Sequence, residues 1–236
     1  MSDADHDRRI AEMFDRIALR YDRLNRVLSF GTDIGWRRRA IELARLGPGE
    51  RAVDIGAGTG DLAVGLLRAS HPSSAVVAVD LAPAMLAVAA RRLADPALAS
   101  RALVVVGNGE ALPLPDASVD RVISAFTLRN IGDLPRAFRE MRRVLRPGGR
   151  AVLLELSHPP SPAFGVLYRW YFERVAPLVA VALGGDRDAY RYLPRSLRAF
   201  PGADGLARML AEAGLSHVHF ERLALGIAAI HVAERA

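Results

Sequence analysis

The chain contains no cysteine and no lysine. The first absence excludes disulfides, thiolate metal sites and a cysteine nucleophile. The second excludes a Schiff-base lysine and a P-loop lysine, so all 32 residues in the Lys+Arg count are arginines. No run approaches the roughly 20 apolar residues that a membrane-spanning helix requires. The most apolar long stretch, Phe164 to Leu183, is interrupted by Arg169, Glu173, Arg174 and Pro177. The opening residues, Met1-Ser2-Asp3-Ala4-Asp5, are acidic and lack the basic-then-apolar order of a signal peptide. A cytoplasmic protein is expected, with room for peripheral contact at the inner face of a membrane. No metal site is expected, and the chemistry falls to His, Asp, Glu, Arg, Tyr, a hydroxyl or a bound cofactor.

What is present fits one α/β domain with decorations, spanning residues 1–236. The net charge of +6 invites a nucleic-acid reading. The arginines, however, mostly alternate with acidic residues along helical stretches, as in Phe138-Arg139-Glu140-Met141-Arg142-Arg143. A solvated helix face explains most of them, and no nucleic-acid partner is expected. Attraction to anionic lipid headgroups suits the same charge.

Residues 7–44 read as helices, because Ile10, Met13, Phe14, Ile17 and Tyr21 recur at three- and four-residue spacing. After the turn Leu46-Gly47-Pro48-Gly49 the period changes. Strands are expected at Arg51–Ile55, Ala75–Val79, Leu103–Val106, Arg121–Phe126 and Arg150–Leu156, with helices at Asp61–Ala69, Ala84–Leu93 and Leu134–Leu145. Such alternation implies right-handed crossovers and a parallel sheet. Residues 158–200 break the rhythm with prolines and aromatics, and read as an inserted helical cap. A helix at Gly205–Ala213 and two closing strands, His217–Leu223 and Ile227–Ala233, complete the chain as a hairpin.

The chemistry concentrates in Val53-Asp54-Ile55-Gly56-Ala57-Gly58-Thr59-Gly60-Asp61, between the first strand and its helix. Gly56, Gly58 and Gly60 let the backbone turn sharply and approach a ligand closely, beside the free amides of a helix N-terminus. Dinucleotide enzymes space their glycines as Gly-x-Gly-x-x-Gly. Here the pattern is Gly-x-Gly-x-Gly, entered through the acidic Asp54. A carboxylate there repels a diphosphate but orients the ammonium end of S-adenosylmethionine. Asp80 ends the second strand, where it can accept from ribose hydroxyls or simply cap the helix before Pro83. Asn108, Gly109 and Glu110 follow the third strand, where a base edge can be read. Five parallel units closed by a hairpin make the arrangement of a Rossmann-like class I methyltransferase: a seven-stranded, mostly parallel sheet with N-terminal helices and a cap after the fifth strand.

Four segments carry a closer resemblance: Met13 to Asp22 with Asn25, Leu28-Ser29-Phe30-Gly31 and Trp36-Arg37; the glycine loop; Glu110 to Asp116 with Phe126-Thr127-Leu128-Arg129-Asn130; and Arg146 to Arg150 with Glu155-Leu156-Ser157, Tyr190-Arg191-Tyr192-Leu193 and Ser196. With these, the chain resembles the ubiquinone/menaquinone biosynthesis C-methyltransferase family over almost its whole length. The resemblance implies methylation of a ring carbon on a reduced polyprenylated quinol, chiefly demethylmenaquinol, with S-adenosyl-L-methionine as donor. It implies cofactor contacts at Thr59, Asp80 with its neighbour Leu81, and Asn108-Gly109. Three positions depart from the family pattern: Ala57 stands where the loop often has cysteine or glycine, Thr127 replaces a glycine, and Ala125 stands where some members contact the cofactor through serine.

Arg129 and Asn130 are the expected stabilisers of a developing phenolate, and His158 the candidate base. The plainer reading pairs Arg129 with Asp133 or with a carboxylate of the N-terminal helices, and leaves His158 structural. Tyr21, Thr127, Tyr190 and Tyr192 are the candidate acceptor contacts, with aromatic packing of the cap as the alternative for the tyrosines. His231 reads as a packed core residue. The rival functions are methylation of another small aromatic or lipid acceptor and non-catalytic cofactor binding in a scaffold. Self-association is left open.

Overall fold

The computed structural model describes residues 3–236; Met1 and Ser2, at the head of the acidic opening stretch, lie outside the described residues. Three helices come first: α1 (Asp3–Ile17), α2 (Tyr21–Leu28) and α3 (Thr32–Ala44). Next come β1 (Arg51–Ile55), α4 (Asp61–Ala69), β2 (Ala75–Asp80), α5 (Pro83–Leu93), β3 (Ala102–Val106), β4 (Val119–Ala125), α6 (Leu134–Val144) and β5 (Leu145–Leu156). The region after β5 forms α7 (Pro162–Trp170), a π turn at Tyr171–Val175, α8 (Ala176–Ala182) and α9 (Arg187–Ala199). α10 (Ala203–Glu212), β6 (Ser216–Leu223) and β7 (Ala228–Glu234) close the chain.

The strands lie in the order β3-β2-β1-β4-β5-β7-β6. The first five are parallel, and β7 enters between β5 and β6, antiparallel to both. This is the expected mostly parallel sheet with a C-terminal hairpin. The order reverses between β1 and β4, so their carboxyl ends open a crevice at the switch point.

Each face of the sheet buries its own apolar layer. Ala40 and Ala44 of α3, Leu62, Leu66 and Leu67 of α4 and Ala89 of α5 cover one face. Phe138 and Met141 of α6, with Leu206 and Leu210 of α10, cover the other. Phe138 and Met141 are fully buried, each stabilising the fold by about 1.5–3 kcal/mol. The predicted apolar face of α1 is real: Ile10, Met13 and Ile17 are buried against Met85 and Tyr190, with Phe14 and Tyr21 packed alongside.

Most boundaries shift by one or two residues, and the largest difference is at the fifth strand. The fifth strand begins at Leu145 rather than Arg150, because α6 runs directly into a pairing of Leu145 with Val119. Pro147-Gly148-Gly149 is a kink within the strand. A Cβ on Gly149 would lie 2.8 Å from the Arg146 carbonyl oxygen, a separation no side chain tolerates.

The cap is tied to the N-terminal helices. Tyr171 Oη donates to the Leu28 carbonyl (3.1 Å), Arg20 to the Gly184 carbonyl (2.6 Å), and Arg16 pairs with Asp186 at 3.0 Å. Asp186 also caps α9 through the Asp188 and Ala189 amides, both at 2.9 Å. No helix among the described residues is long and apolar enough to cross a membrane.

Candidate active site

The glycine loop leaves β1 and is pinned to β2. Gly56 N and Ala57 N donate to the Val79 carbonyl at 2.8 and 3.0 Å. Gly58 N donates to one oxygen of Asp80 and Ala82 N to the other, both at 2.8 Å. Asp80 is thus a loop anchor, with its carboxylate on the floor of the crevice. Burial raises its pKa, against the pull of those amides. Gly56 and Gly60 each have positive φ and no room for a side chain. A Cβ on Gly60 would sit 3.0 Å from the Ala89 Cβ of α5; one on Gly56 would sit 2.1 Å from the Thr127 side chain.

The crevice gathers residues from four strand ends, those of β1, β2, β3 and β4, and from α1, α2 and α3. Asp54, Gly56, Gly58, Thr59, Asp80, Leu81, Asn108, Gly109 and Ala125 of the expected cofactor set all line it, while Gly60 packs behind at the head of α4. α1 lies over the opening. Asn108 Nδ2 donates to Asp7 (2.7 Å), and His6 Nε2 donates to the Asn130 carbonyl (2.9 Å). Thr59 Oγ1 donates to Asp22 of α2 (2.7 Å), and Arg92 joins Asp22 to Asp61 and the Thr59 carbonyl. Glu110 has a different task from base reading, since its Oε1 accepts from Gly132 N and Asp133 N, both at 3.0 Å.

Asp54 is sealed, and neither of its oxygens has a hydrogen-bond partner. Burial pushes its carboxyl up to about 7, with Arg37 opposing. The folded state therefore holds this proton more tightly than the unfolded chain, whose carboxyl titrates near pH ~4. The associated stability is fully present below that pH and is lost as pH rises through about 7. Asp54→Asn removes the penalty. Without cofactor it is expected to melt about 5 °C above wild type at pH 8, with the gap narrowing at pH 5. Thermal unfolding across pH checks this, and a constant gap would contradict it.

A second cavity, of about 480 Å³ and almost wholly apolar, lies between α2, α3 and the cap. Phe30, Trp36, Leu167, Tyr168 and Trp170 are among its lining residues. Phe30 (80% exposed), Leu167 and Trp170 also face solvent. Among the described residues, only Tyr21 and Phe126 line both cavities.

Phe126 is held in the left-handed region at φ 61°, a costly conformation for a bulky residue. Its amide donates to the Leu154 carbonyl (2.9 Å), its carbonyl accepts from Arg129 Nη1 (2.7 Å), and its ring lies 4.9 Å beneath the Arg37 guanidinium.

Arg129 is buried in the wall of the apolar cavity. It pairs with Glu155 of β5 at 2.6 Å, not with Asp133, which caps α6 through Arg136 N (2.9 Å). Burial works against the charge of Arg129, but the Glu155 carboxylate, together with Tyr21 and Tyr192, outweighs it, and the net shift strengthens the cation. Asn130 sits beside it, on the crevice side, with its side-chain oxygen buried and unpartnered.

Four other expected residues lie elsewhere. Thr127 faces the crevice and donates to the Gly56 carbonyl (3.1 Å), so its hydroxyl braces the glycine loop. Tyr190 packs under α1, and Tyr192 lines a separate hollow with His6 and Met13, so both follow the packing alternative. His158 donates to the Phe200 carbonyl (3.0 Å) in another hollow, outside both cavities, as the structural alternative has it. His231 is buried, as expected. Arg37 and Phe126 stood only in the resemblance, and Tyr168 only among the aromatics of the cap.

The open sheet with its reversal at β1 and β4, the anchored glycine loop and the sealed carboxylate define a class I S-adenosylmethionine-dependent methyltransferase. Solved structures agree on the fold. A SAM-dependent methyltransferase from Aquifex aeolicus superposes with TM-score 0.62 at 16% identity, covering 85% of this chain and 89% of that one. A possible histamine N-methyltransferase from Thermotoga maritima gives 0.67 at 22%, covering 96% and 99%. The sequence profile of the ubiE/COQ5 methyltransferase family matches residues 1–235, and the chain belongs to that family. It is 48% identical to the demethylmenaquinone methyltransferase of Thermus thermophilus, over 94% of this chain and all of the relative. It is 41% identical to the ubiquinone/menaquinone biosynthesis C-methyltransferase UbiE of Geobacter sulfurreducens, over 96% and 88%.

Proposed function

We propose that the chain methylates a ring carbon of a reduced polyprenylated quinol, demethylmenaquinol above all, in quinone biosynthesis, and that residues 1–236 act as one catalytic unit. The observation that carries this reading is an apolar cavity with a single buried arginine in its wall, separated from the cofactor crevice by two aromatic residues. S-Adenosylmethionine, when bound, supplies a methyl already activated on sulfonium. The residues present suit it: Gly56 and Gly58 give close backbone approach, Asp80 meets ribose hydroxyls, and Asn108 and Gly109 meet the base. Leu81 and Ala125 close the sides.

A quinol carbon becomes nucleophilic as its neighbouring hydroxyl loses a proton. Arg129 stabilises the resulting negative charge in a dry cavity, with Asn130 as a second polar group beside it. Tyr21 and Phe126 hold the ring against the crevice, since alignment is most of what an activated methyl needs. The exposed Phe30, Leu167 and Trp170 at the cavity rim suit peripheral contact with a membrane surface, where the prenyl tail resides.

The test is incubation with labelled S-adenosylmethionine and reduced demethylmenaquinone, beside a benzoquinol analogue. Mass spectrometry is expected to find one methyl on the naphthoquinol ring carbon. Transfer to the benzoquinol alone, or to neither, would overturn the substrate assignment.

A further inference from the structure

Two opposite charges face the crevice without a hydrogen bond to the protein among the described residues. Asp54 has two unbonded oxygens. Arg37, on α3, lines the same crevice, and its Nε is sealed from solvent with no acceptor. Its nearest ion-pair contact, Asp33, stands 3.6 Å from Nε, with both side chains largely buried. Structural arginines of this chain are bonded quite differently. Arg92 donates to Thr59, Asp61 and Asp22, and Arg121 to Ala44, Arg45, Asp120 and Glu50. A guanidinium buried to this degree without hydrogen bonds is costly unless a ligand completes it.

We infer that Arg37 receives the α-carboxylate of the methionyl end of S-adenosylmethionine, while Asp54 faces its α-ammonium, so that the two residues together select an amino-acid zwitterion. The inference deepens the cofactor assignment, on which it rests. The fork of an arginine matches a carboxylate with two parallel charge-assisted bonds, and the counter-charge of Asp54 matches the cation one carbon away. Arg37 also lies over the Phe126 ring. A carboxylate on the guanidinium holds that stack in place, and with it the wall against which the acceptor rests. Arg37 is therefore a specificity residue for the donor and a positioning residue for the partition.

Calorimetric titration tests this without turnover. The ligands are S-adenosylmethionine and its decarboxylated analogue, which keeps the sulfonium and the amine. Wild type is expected to prefer the intact cofactor by about 30-fold, the worth of a charged hydrogen-bonded pair. Arg37→Met should lose that factor on S-adenosylmethionine and keep its affinity for the analogue within about threefold, while Arg37→Lys recovers part of the preference. Equal affinity of wild type for both ligands overturns the role of Arg37, and needs no variant to fold. Equal weakening of both ligands by Arg37→Met overturns it as well, marking a structural arginine. Failure of wild type to bind either ligand would instead sink the cofactor assignment itself.

Discussion

Arg129→Met is expected to lower turnover by about 10³-fold while affinity for S-adenosylmethionine stays within about threefold. The size follows from what one preorganised charge is worth against a developing oxyanion in a water-poor site. The same substitution strands Glu155, which is 1% exposed in its side chain and would keep only backbone donors, the Leu156 amide at 2.8 Å and the Arg129 amide at 3.3 Å. Breaking one half of a buried pair costs about 3–5 kcal/mol, so instability alone could imitate a catalytic defect. The paired variant Arg129→Met/Glu155→Gln separates the two effects. It neutralises both charges, and its denaturant midpoint should return most of the way to wild type while turnover stays low. Recovery of activity along with stability would mean that Arg129 only holds the fold.

Gly56→Ala should be nearly as damaging, through geometry instead of charge. The new Cβ would fall 2.1 Å from Thr127 Cγ2 and 2.2 Å from its Oγ1, at a residue with φ 67°. Relief requires Thr127 to give up its bond to the Gly56 carbonyl or the loop to move off Val79. Cofactor affinity is expected to fall by about 100-fold, with a stability loss of about 2–3 kcal/mol. Adding Thr127→Gly removes the clash but not the left-handed backbone, which still costs a non-glycine residue about 1–2 kcal/mol. The double variant should therefore recover most of the affinity and only part of the stability. Titration and chemical denaturation report the two separately. Full recovery of both would show that the backbone angle carries no strain.

Local pattern made the sheet and the glycine loop readable, because strand and helix periods differ and only glycine serves at such turns. Asp54 and Asp80 were readable too, since loop position alone puts a carboxylate at each strand end. The partner of Arg129 was not. Asp133 is close in sequence, whereas Glu155 reaches Arg129 only because β4 and β5 run parallel with Ala125 opposite Leu154. The apolar cavity was only partly readable: the aromatics of the cap marked one wall, but α2 and α3, which close it, lie far away along the chain. Tyr190 and Tyr192 show the limit of a short motif: neighbouring positions on α9 point to a buried layer and to a separate hollow. Thr127 looked like an acceptor contact because its bulk is unusual there; its hydroxyl turns back to the Gly56 and Ala125 carbonyls.

The partition formed by Phe126 and Tyr21 has a consequence for traffic. On the proposed assignment, with the donor in the crevice beneath α1 and the acceptor in the cavity rimmed by Phe30 and Trp170, the two guests would meet at a shared window without sharing a doorway. A spent donor can depart into water while the finished lipid slips out along its greasy threshold. Neither departure has to wait for the other.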